Sequence, residues 1–359
     1  VQLYKQKPEG LMNLTKNLII AVSRIPHSLV IGIATFLIST SILANPVVDN
    51  VAAGQVTIQQ TPNSTVVNQS SSQAIINWQS FNIGAQETTH FQQPAGGVAL
   101  NRINPSNGVS AIYGRLTATG QIILVNPAGL FFGPDSFVNV GGLIASTANI
   151  SDQDFLNGYY HFANTPGFNG AIVNQGRIIA ADNGLVALIG GAVSNEGLVQ
   201  ANVGQVVLAS GDSFTMSFAG NELIGFSVDS AVSQRAQDQH GNILPDGVKN
   251  LGNIVANGGK ILVTAQAAAN VLDNVINMQG FAQANTISNN TGEILLLGGN
   301  QGVTRVAGRL EATDGGHIET SGLIVHITPT AEIVAGMGGS WLMDPYNITI
   351  VAGTGCVDI

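Results

Sequence analysis

The sequence predicts an all-β chain, wound as a coil of short stacked strands, and three observations carry that reading. Only 9% of the 359 residues are charged, while 45% are hydrophobic and 44 are Gly. From about residue 50, short β-branched runs alternate with Gly, Asn and Asp, as in Gln55-Val-Thr-Ile-Gln59. Such alternation fits strands joined by tight turns, where Gly and Asn supply positive φ. Third, one frame recurs: Gly-x-apolar-x-Ala, a short Gly-containing turn, then a second alternating run. It opens at Gly176, Gly197, Gly252 and Gly308, with a weaker copy at Gly280. Repeats of about 20 to 30 residues built from strands and turns predict a β-solenoid. A single rung buries its apolar face only against its neighbours, so stability comes from stacking.

The N-terminus has the layout of an export signal. Lys5, Lys7, Lys16 and Arg24 precede the apolar run Ser28–Leu43, then Ala44 and Asn45-Pro46. Basic region, apolar core, small residue and turn predict a secretory signal peptide over residues 1–44. Val1 and Met12 both stand as starts. The run is short for a membrane span and is softened by Ser and Thr.

Charge then narrows the function classes. Formal net charge is −9, and the four cations and one anion before residue 45 leave the remainder at −12. An acidic body disfavours nucleic acid, which needs phosphate-facing Lys and Arg. The single cysteine, Cys356, excludes an intrachain disulfide.

Element by element, Val47 to Asn68 reads as period-2 strands. The one helical candidate is Leu262–Met278, rich in Ala and Leu yet weakened by Val and Asn. Two segments leave the pattern. Ser151–Asn169 is polar and aromatic, and Ser213–Lys249 reads as a hairpin followed by a polar loop. Both are expected to leave the coil and cover its flank, since apolar excursions pack on something. Residues 126–147, NPAGLFFGPDSFVNVGGLIAST, are apolar and Gly-punctuated, with no acid/base pair, metal cluster or nucleophile. At Asn126-Pro127-Ala128-Gly129, Pro fixes φ and Gly supplies a positive φ near the turn's end.

At this point the residues match a family. Ile76-Asn-Trp-Gln-Ser-Phe-Asn-Ile-Gly84, Phe91-Gln-Gln-Pro94, Ala99-Leu-Asn-Arg-Ile103 and Ile112–Gly120 occur in order. Ile123–Gly133, Val140–Thr147 and Ile150-Ser-Asp152 follow. Together they resemble the two-partner secretion domain of filamentous haemagglutinin-type exoproteins (the haemagglutination activity domain). Trp78, Phe81, Asn101, Arg102, Gly133, Gly141 and Gly142 belong to the core motif of that resemblance. Asn126-Pro127-Ala128-Gly129-Leu130 matches the family's Asn-Pro-Asn-Gly-Ile, departing at Ala128 and Leu130, and the family's shorter Asn-Pro-Asn-Leu motif is not visible. For this turn, a structural role and a contact with the transporter both stand, the structural one favoured.

The resemblance implies a right-handed parallel β-helix with extra-helical hairpins. It implies passage through the general inner-membrane secretion machinery, then through a cognate outer-membrane β-barrel transporter with periplasmic polypeptide-binding domains. The product would be secreted or surface-held by a Gram-negative bacterium and would serve adhesion or haemagglutination, meeting a host-cell surface glycan or protein. Residues 45–300 would form the secretion domain. Residues 301–359 would add further rungs and the start of a downstream adhesin region, Trp341–Ile350 marking its onset, with the product truncated or the front of a longer one. No cofactor or metal is expected. Competing readings are a β-helical carbohydrate-active enzyme of the polysaccharide-lyase kind and a delivery stalk for a C-terminal toxin. An enzyme needs carboxylate pairs or a Ca²⁺-binding Asp cluster on one face. The only close acidic pair in the core, Asp152/Asp154, is expected in a solvated loop, so catalysis is disfavoured. His90 and His161 read as structural or surface residues, and no His spacing suggests a metal.

Overall fold

The computed structural model describes residues 45–346. The expected export signal, Cys356 and the end of the Trp341–Ile350 segment lie outside the described residues.

The described chain is a parallel β-helix with three sheets wound in the order A, C, B. One full rung runs through Gln121–Val125 in sheet A, Leu130–Phe132 in sheet C and Phe137–Val140 in sheet B. Sheets A and B each hold eleven strands, and sheet C holds eight. Within the coil each strand pairs in parallel with the strand one rung before and one rung after, as Gly142–Ser146 does with Gln121–Val125 and Leu185–Gly190. The all-β β-helix expected from the sequence is therefore the fold observed.

The repeating frame is the sheet B strand and its two corners. Its third residue points inward and is buried: Ile178, Val199, Ile254, Ala282 and Leu310. The closing Ala180, Ala201, Ala256, Ala284 and Ala312 are buried beside the next corner. Opening glycines stack directly. A Cβ on Gly197, Gly252, Gly280 or Gly308 would lie 2.0–2.2 Å from the carbonyl oxygen of the glycine one rung earlier. The corner admits no side chain at the rung spacing of about 4.8 Å. Just before these glycines runs a buried asparagine ladder. Asn174 Nδ2 donates to Asn195 Oδ1 at 2.8 Å, and Asn195 Nδ2 donates to Asn250 Oδ1 at 2.7 Å.

Sheet A is buried on both faces over its middle strands, from Val98–Ile103 to Gln205–Ser210. Its inward side chains, such as Ile76, Leu124, Ala145, Leu188, Leu208 and Val263, fill the coil. Its outward side chains, such as Ile75, Leu100, Ile123, Ile144, Ala187 and Val207, lie in a second apolar layer. This explains the unbroken apolar runs Ile122–Val125 and Leu185–Ile189, since parallel strands covered on both faces lose the polar alternation.

What covers sheet A is the pair of excursions. Tyr160–Ala163, Ser213–Ala219 and Glu222–Ser230 form an antiparallel three-stranded outer sheet. Phe162, Phe214, Met216, Leu223 and Val228 press inward from it, and Phe155 joins them from a short helix, Asp152–Leu156. Covering, the favoured role for both segments, is what the structure shows for Tyr160–Ala163 and for the hairpin Ser213–Ser230, whereas the end of the second segment, Asp246–Lys249, is already back in the coil as a strand of sheet C.

Two expectations change. Leu262–Met278 is not helical: it spans the strands Lys260–Ala265 and Asn274–Met278 with a loop between. Ile261 and Val263 sit in register between Val206 and Leu208 below and Ile294 and Leu296 above. Burial in that ladder outweighs the mild helix preference of Ala and Leu. The Asp152/Asp154 pair, expected in a solvated loop, lies in the first turn of the short helix capped by Ser151.

The N-terminal end of the coil is sealed by antiparallel strands. Val47–Ala53 runs against Gln73–Ser80 in sheet A, and Val56–Thr61 runs against Ser64–Gln69 in sheet B. Inside, Trp78, Phe81 and Phe91 plug the first rungs, Trp78 meeting Phe81 edge-on at 5.2 Å.

Candidate functional site

The residues singled out by sequence do not converge on one pocket. They fall into three groups along the first rungs, each with a separate structural task.

The first group is internal. Trp78 and Asn101 are both buried, and Trp78 Nε1 donates to Asn101 Oδ1 at 2.9 Å. Asn101 Nδ2 donates to the carbonyl oxygens of Ala99 and Ile123. Asn101 occupies an inward position of sheet A between Ile76 and Leu124. A buried amide there is tolerated because its donors and acceptor are all used. With Phe81, this group closes the coil interior beneath the cap.

The second group is the latch at Arg102, on the outer face of sheet A. Its Nη2 donates to the Ile150 carbonyl at 2.7 Å, its Nε to Asn149 Oδ1 at 3.0 Å, and its Nη1 pairs with Asp152 at 2.7 Å. A planar guanidinium with a fixed fork of donors suits such a three-point grip. It fastens the start of the first excursion onto a rung laid down earlier. Asp154 accepts from the Ser151 hydroxyl at 2.7 Å. Both carboxylates of the suspected pair thus hold the helix terminus.

The third group is the Asn126 turn, at the corner from sheet A to sheet C. Asn126 is fully buried. Its Nδ2 donates to the Gly108 carbonyl and to Ser110 Oγ, both at 3.0 Å, and its Oδ1 accepts from Ala128 N–H. Gly129 N–H closes the turn on the Asn126 carbonyl at 2.9 Å, with φ +120° at Gly129. The returning first excursion then lies over it. Gly170 N–H donates to the Pro127 carbonyl, and a Cβ on Gly170 would lie 2.2 Å from the Ala128 carbonyl carbon. Leu130 is buried, and Ala128 is the one half-exposed member of the motif. The other motif glycines are spacers. Gly133 lies under Tyr113, and Gly141 lies against Gly120.

Sequence reasoning missed three features. They are the antiparallel cap, the asparagine ladder, and two glutamines that protect the free edge of the outer sheet. Gln205 Nε2 donates to the Leu223 carbonyl at 2.7 Å, and Gln266 Nε2 donates to the Val228 carbonyl at 3.2 Å. Only the ladder left a readable trace: Asn174, Asn195 and Asn250 each stand two residues before a repeat glycine.

Among the described residues, no group of three or more His, Cys, Asp or Glu is arranged to hold a metal ion. A surface concavity of about 410 Å³, lined by Ala231, Gln266–Ala269 and Gly298–Gln301, carries no titratable side chain. No described helix is long and apolar enough to cross a membrane.

A capped β-helix with hairpins folded back over one sheet defines the class: the secretion domain of two-partner secretion exoproteins. The chain belongs to the TPS secretion domain family, which matches residues 44–320. It is similar to a heme/hemopexin-binding protein of Haemophilus influenzae, 32% identical over 256 residues, covering 69% of this chain and 26% of that protein. A second heme/hemopexin-binding protein of H. influenzae is 31% identical over 272 residues, covering 69% of this chain and 27% of that protein. The chain thus spans about a quarter of the length of the curated relatives it matches. Its structure is similar to the HMW1 secretion domain of H. influenzae, with a TM-score of 0.70 and 31% identity over 82% of this chain and 75% of that one. The filamentous hemagglutinin secretion domain shares the fold, with a TM-score of 0.50 and 12% identity over 84% of this chain and 99% of that one. The family is one of secretion domains, not of enzymes, and it implies a cognate outer-membrane transporter in a Gram-negative cell.

Proposed function

We propose that this chain is the exported front of a two-partner exoprotein, led by a signal peptide over residues 1–44. The transporter would bind it unfolded, and its β-helix would fold outside the cell from the N-terminal cap onward. The carrying observation is the burial of the Asn126-Pro127-Gly129 turn beneath Gly170. A motif that is covered once folded is available to a transporter only beforehand. Rungs then add in register on a capped first rung, and a folded rung cannot slide back through a narrow pore. Growth from one end suits the nearest-neighbour energetics of solenoids.

The secretion domain would cover residues 45–300, with later rungs leading into a downstream region. For the activity of that region, adhesion or haemagglutination rests on the resemblance described above. Heme or hemopexin binding is the second reading, favoured by the names of the two relatives. Co-expression with the cognate transporter tests export: the chain should reach the medium only when the transporter is present. Equal release without it would refute the proposal. Retention of the secreted full-length product on hemin-agarose, against failure to agglutinate cells, would separate the two downstream readings.

A further inference from the structure

We propose that Lys249 and Asn277 become joined by an isopeptide bond within the folded chain, with Asp246 as proton carrier and Arg305 facing the developing charge. The four residues lie on three successive strands of sheet C, Asp246–Asn250, Asn274–Met278 and Val303–Val306. Lys249 pairs with Asn277, and Asn277 with Arg305, directly in register. The rung spacing of about 4.8 Å is shorter than a lysine side chain, so the amine can reach the carboxamide one rung on.

The neighbours prepare Asn277 for attack. Asp246 and Asn277 are each only 6% exposed. Asn277 Nδ2 donates to one Asp246 carboxylate oxygen at 2.7 Å, and Asn274 Nδ2 donates to the other at 2.7 Å. The carboxylate is thereby fixed against the amide nitrogen. Asn277 Oδ1 accepts from Gln279 Nε2 at 3.1 Å and from Arg305 Nη1 at 3.4 Å. A carboxylate on the leaving nitrogen and a cation on the oxygen are what aminolysis of an amide needs. Lys249 is half-buried. Among the described residues it has no hydrogen-bond or ion-pair partner, unlike Lys260, which pairs with Glu293.

The step balances. Lys249 Nζ, as the free amine, attacks Asn277 Cγ, and the carbonyl electron pair moves onto Oδ1 beside Arg305 and Gln279. The pair then returns and the Cγ–Nδ2 bond breaks. The proton shed by Nζ passes through Asp246 to Nδ2, which leaves as ammonia. No oxidant, metal or co-reactant is consumed. Placement gives the bond a purpose. The buried asparagine ladder ends at Asn250, whose in-register neighbour one rung on is Met278. A bridge from Lys249 to Asn277 ties those same two rungs where the ladder stops. The inference is independent of the export reading, because it concerns the folded chain.

The test is peptide mapping by mass spectrometry of the full-length folded chain, denatured only for digestion. The peptides holding Lys249 and Asn277 should appear as one branched species, lighter than their sum by one ammonia. Lys249→Arg and Asp246→Asn should each return two separate peptides. Separate, unmodified peptides from the folded wild type would overturn the proposal, as would a bridge from Lys249 to Asn274. A bridge that persists in folded Asp246→Asn would overturn the part given to the carboxylate. Where Asp246→Asn fails to fold, Arg305→Gln decides. Its bridging, followed over time after refolding, should lag wild type by about tenfold or more, the expectation for loss of an oxyanion-facing donor. An unchanged rate would overturn the mechanism.

Discussion

Single buried polar residues set the geometry of each rung, and their replacement should cost more than their size suggests. Asn126→Ala leaves the Gly108 carbonyl and Ser110 Oγ without the donor they now have. The expected loss is about 1–3 kcal/mol, read as a lower midpoint in urea unfolding. Glu311 is the residue with the strongest pH signature. The side-chain amides of Asn285 and Gln283, and then Arg309, hold its carboxyl down at about 2, against an ordinary 4.5. A depressed carboxyl stabilises the fold above its unfolded pKa and loses that contribution as pH falls through the folded one. Stability should therefore decline between about pH 4.5 and 2. Glu311→Gln should flatten that decline in thermal melts across the window; an unchanged slope would remove Glu311 as its source. These single-residue roles were only partly legible in the sequence. The turn at Asn126 was readable from Pro and Gly, but its cover was not, because Gly170 lies more than forty residues downstream.

Among elements, the strand-and-corner frame was the most legible part of the fold. Its glycines and alanines recur because each corner meets the same corner one rung away. Gly197→Ala places a methyl against the Gly176 carbonyl at 2.1 Å, so the rungs must part or the corner must shift. The expected cost is about 1–3 kcal/mol, measurable by denaturant unfolding. The outer sheet was half legible. Its strands could be seen leaving the pattern, and cover was expected because apolar excursions pack on something. Its pairing was not readable, because Tyr160–Ala163 waits for Ser213–Ala219 across the intervening rungs. Arg102 bridges that interval by holding Asn149, Ile150 and Asp152. Arg102→Ala should raise amide exchange in residues 149–163 while leaving sheet C protected; unchanged exchange would remove the latch. The mistaken helix at 262–278 has the same origin as the missed pairing. Local propensity is weak beside ladder partners supplied from distant rungs.

For the whole molecule, the two ends of the coil are unlike. The N-terminal end is closed by antiparallel strands and an aromatic plug, so the first parallel strands of sheets A and B, Gln73–Ser80 and Ser64–Gln69, are paired on both sides. Sheets A and B then extend in register to Ser340–Pro345 and Glu332–Val334. That polarity gives folding a defined starting end. The direction of the cap strands was hidden in the sequence, because period-2 alternation looks the same in parallel and antiparallel pairs. The central claim is that stacking of rungs outside the cell draws the chain through its transporter. Val140 tests it most directly, being a buried inward residue of sheet B one rung from Ala180. Proline there breaks the ladder without touching the Asn126 turn. The decisive measurement is the fraction of Val140→Pro chain released to the medium in the presence of the cognate transporter, alongside crosslinking to the transporter's periplasmic domains. The account predicts crosslinking as for wild type with release largely lost; release equal to wild type would contradict it.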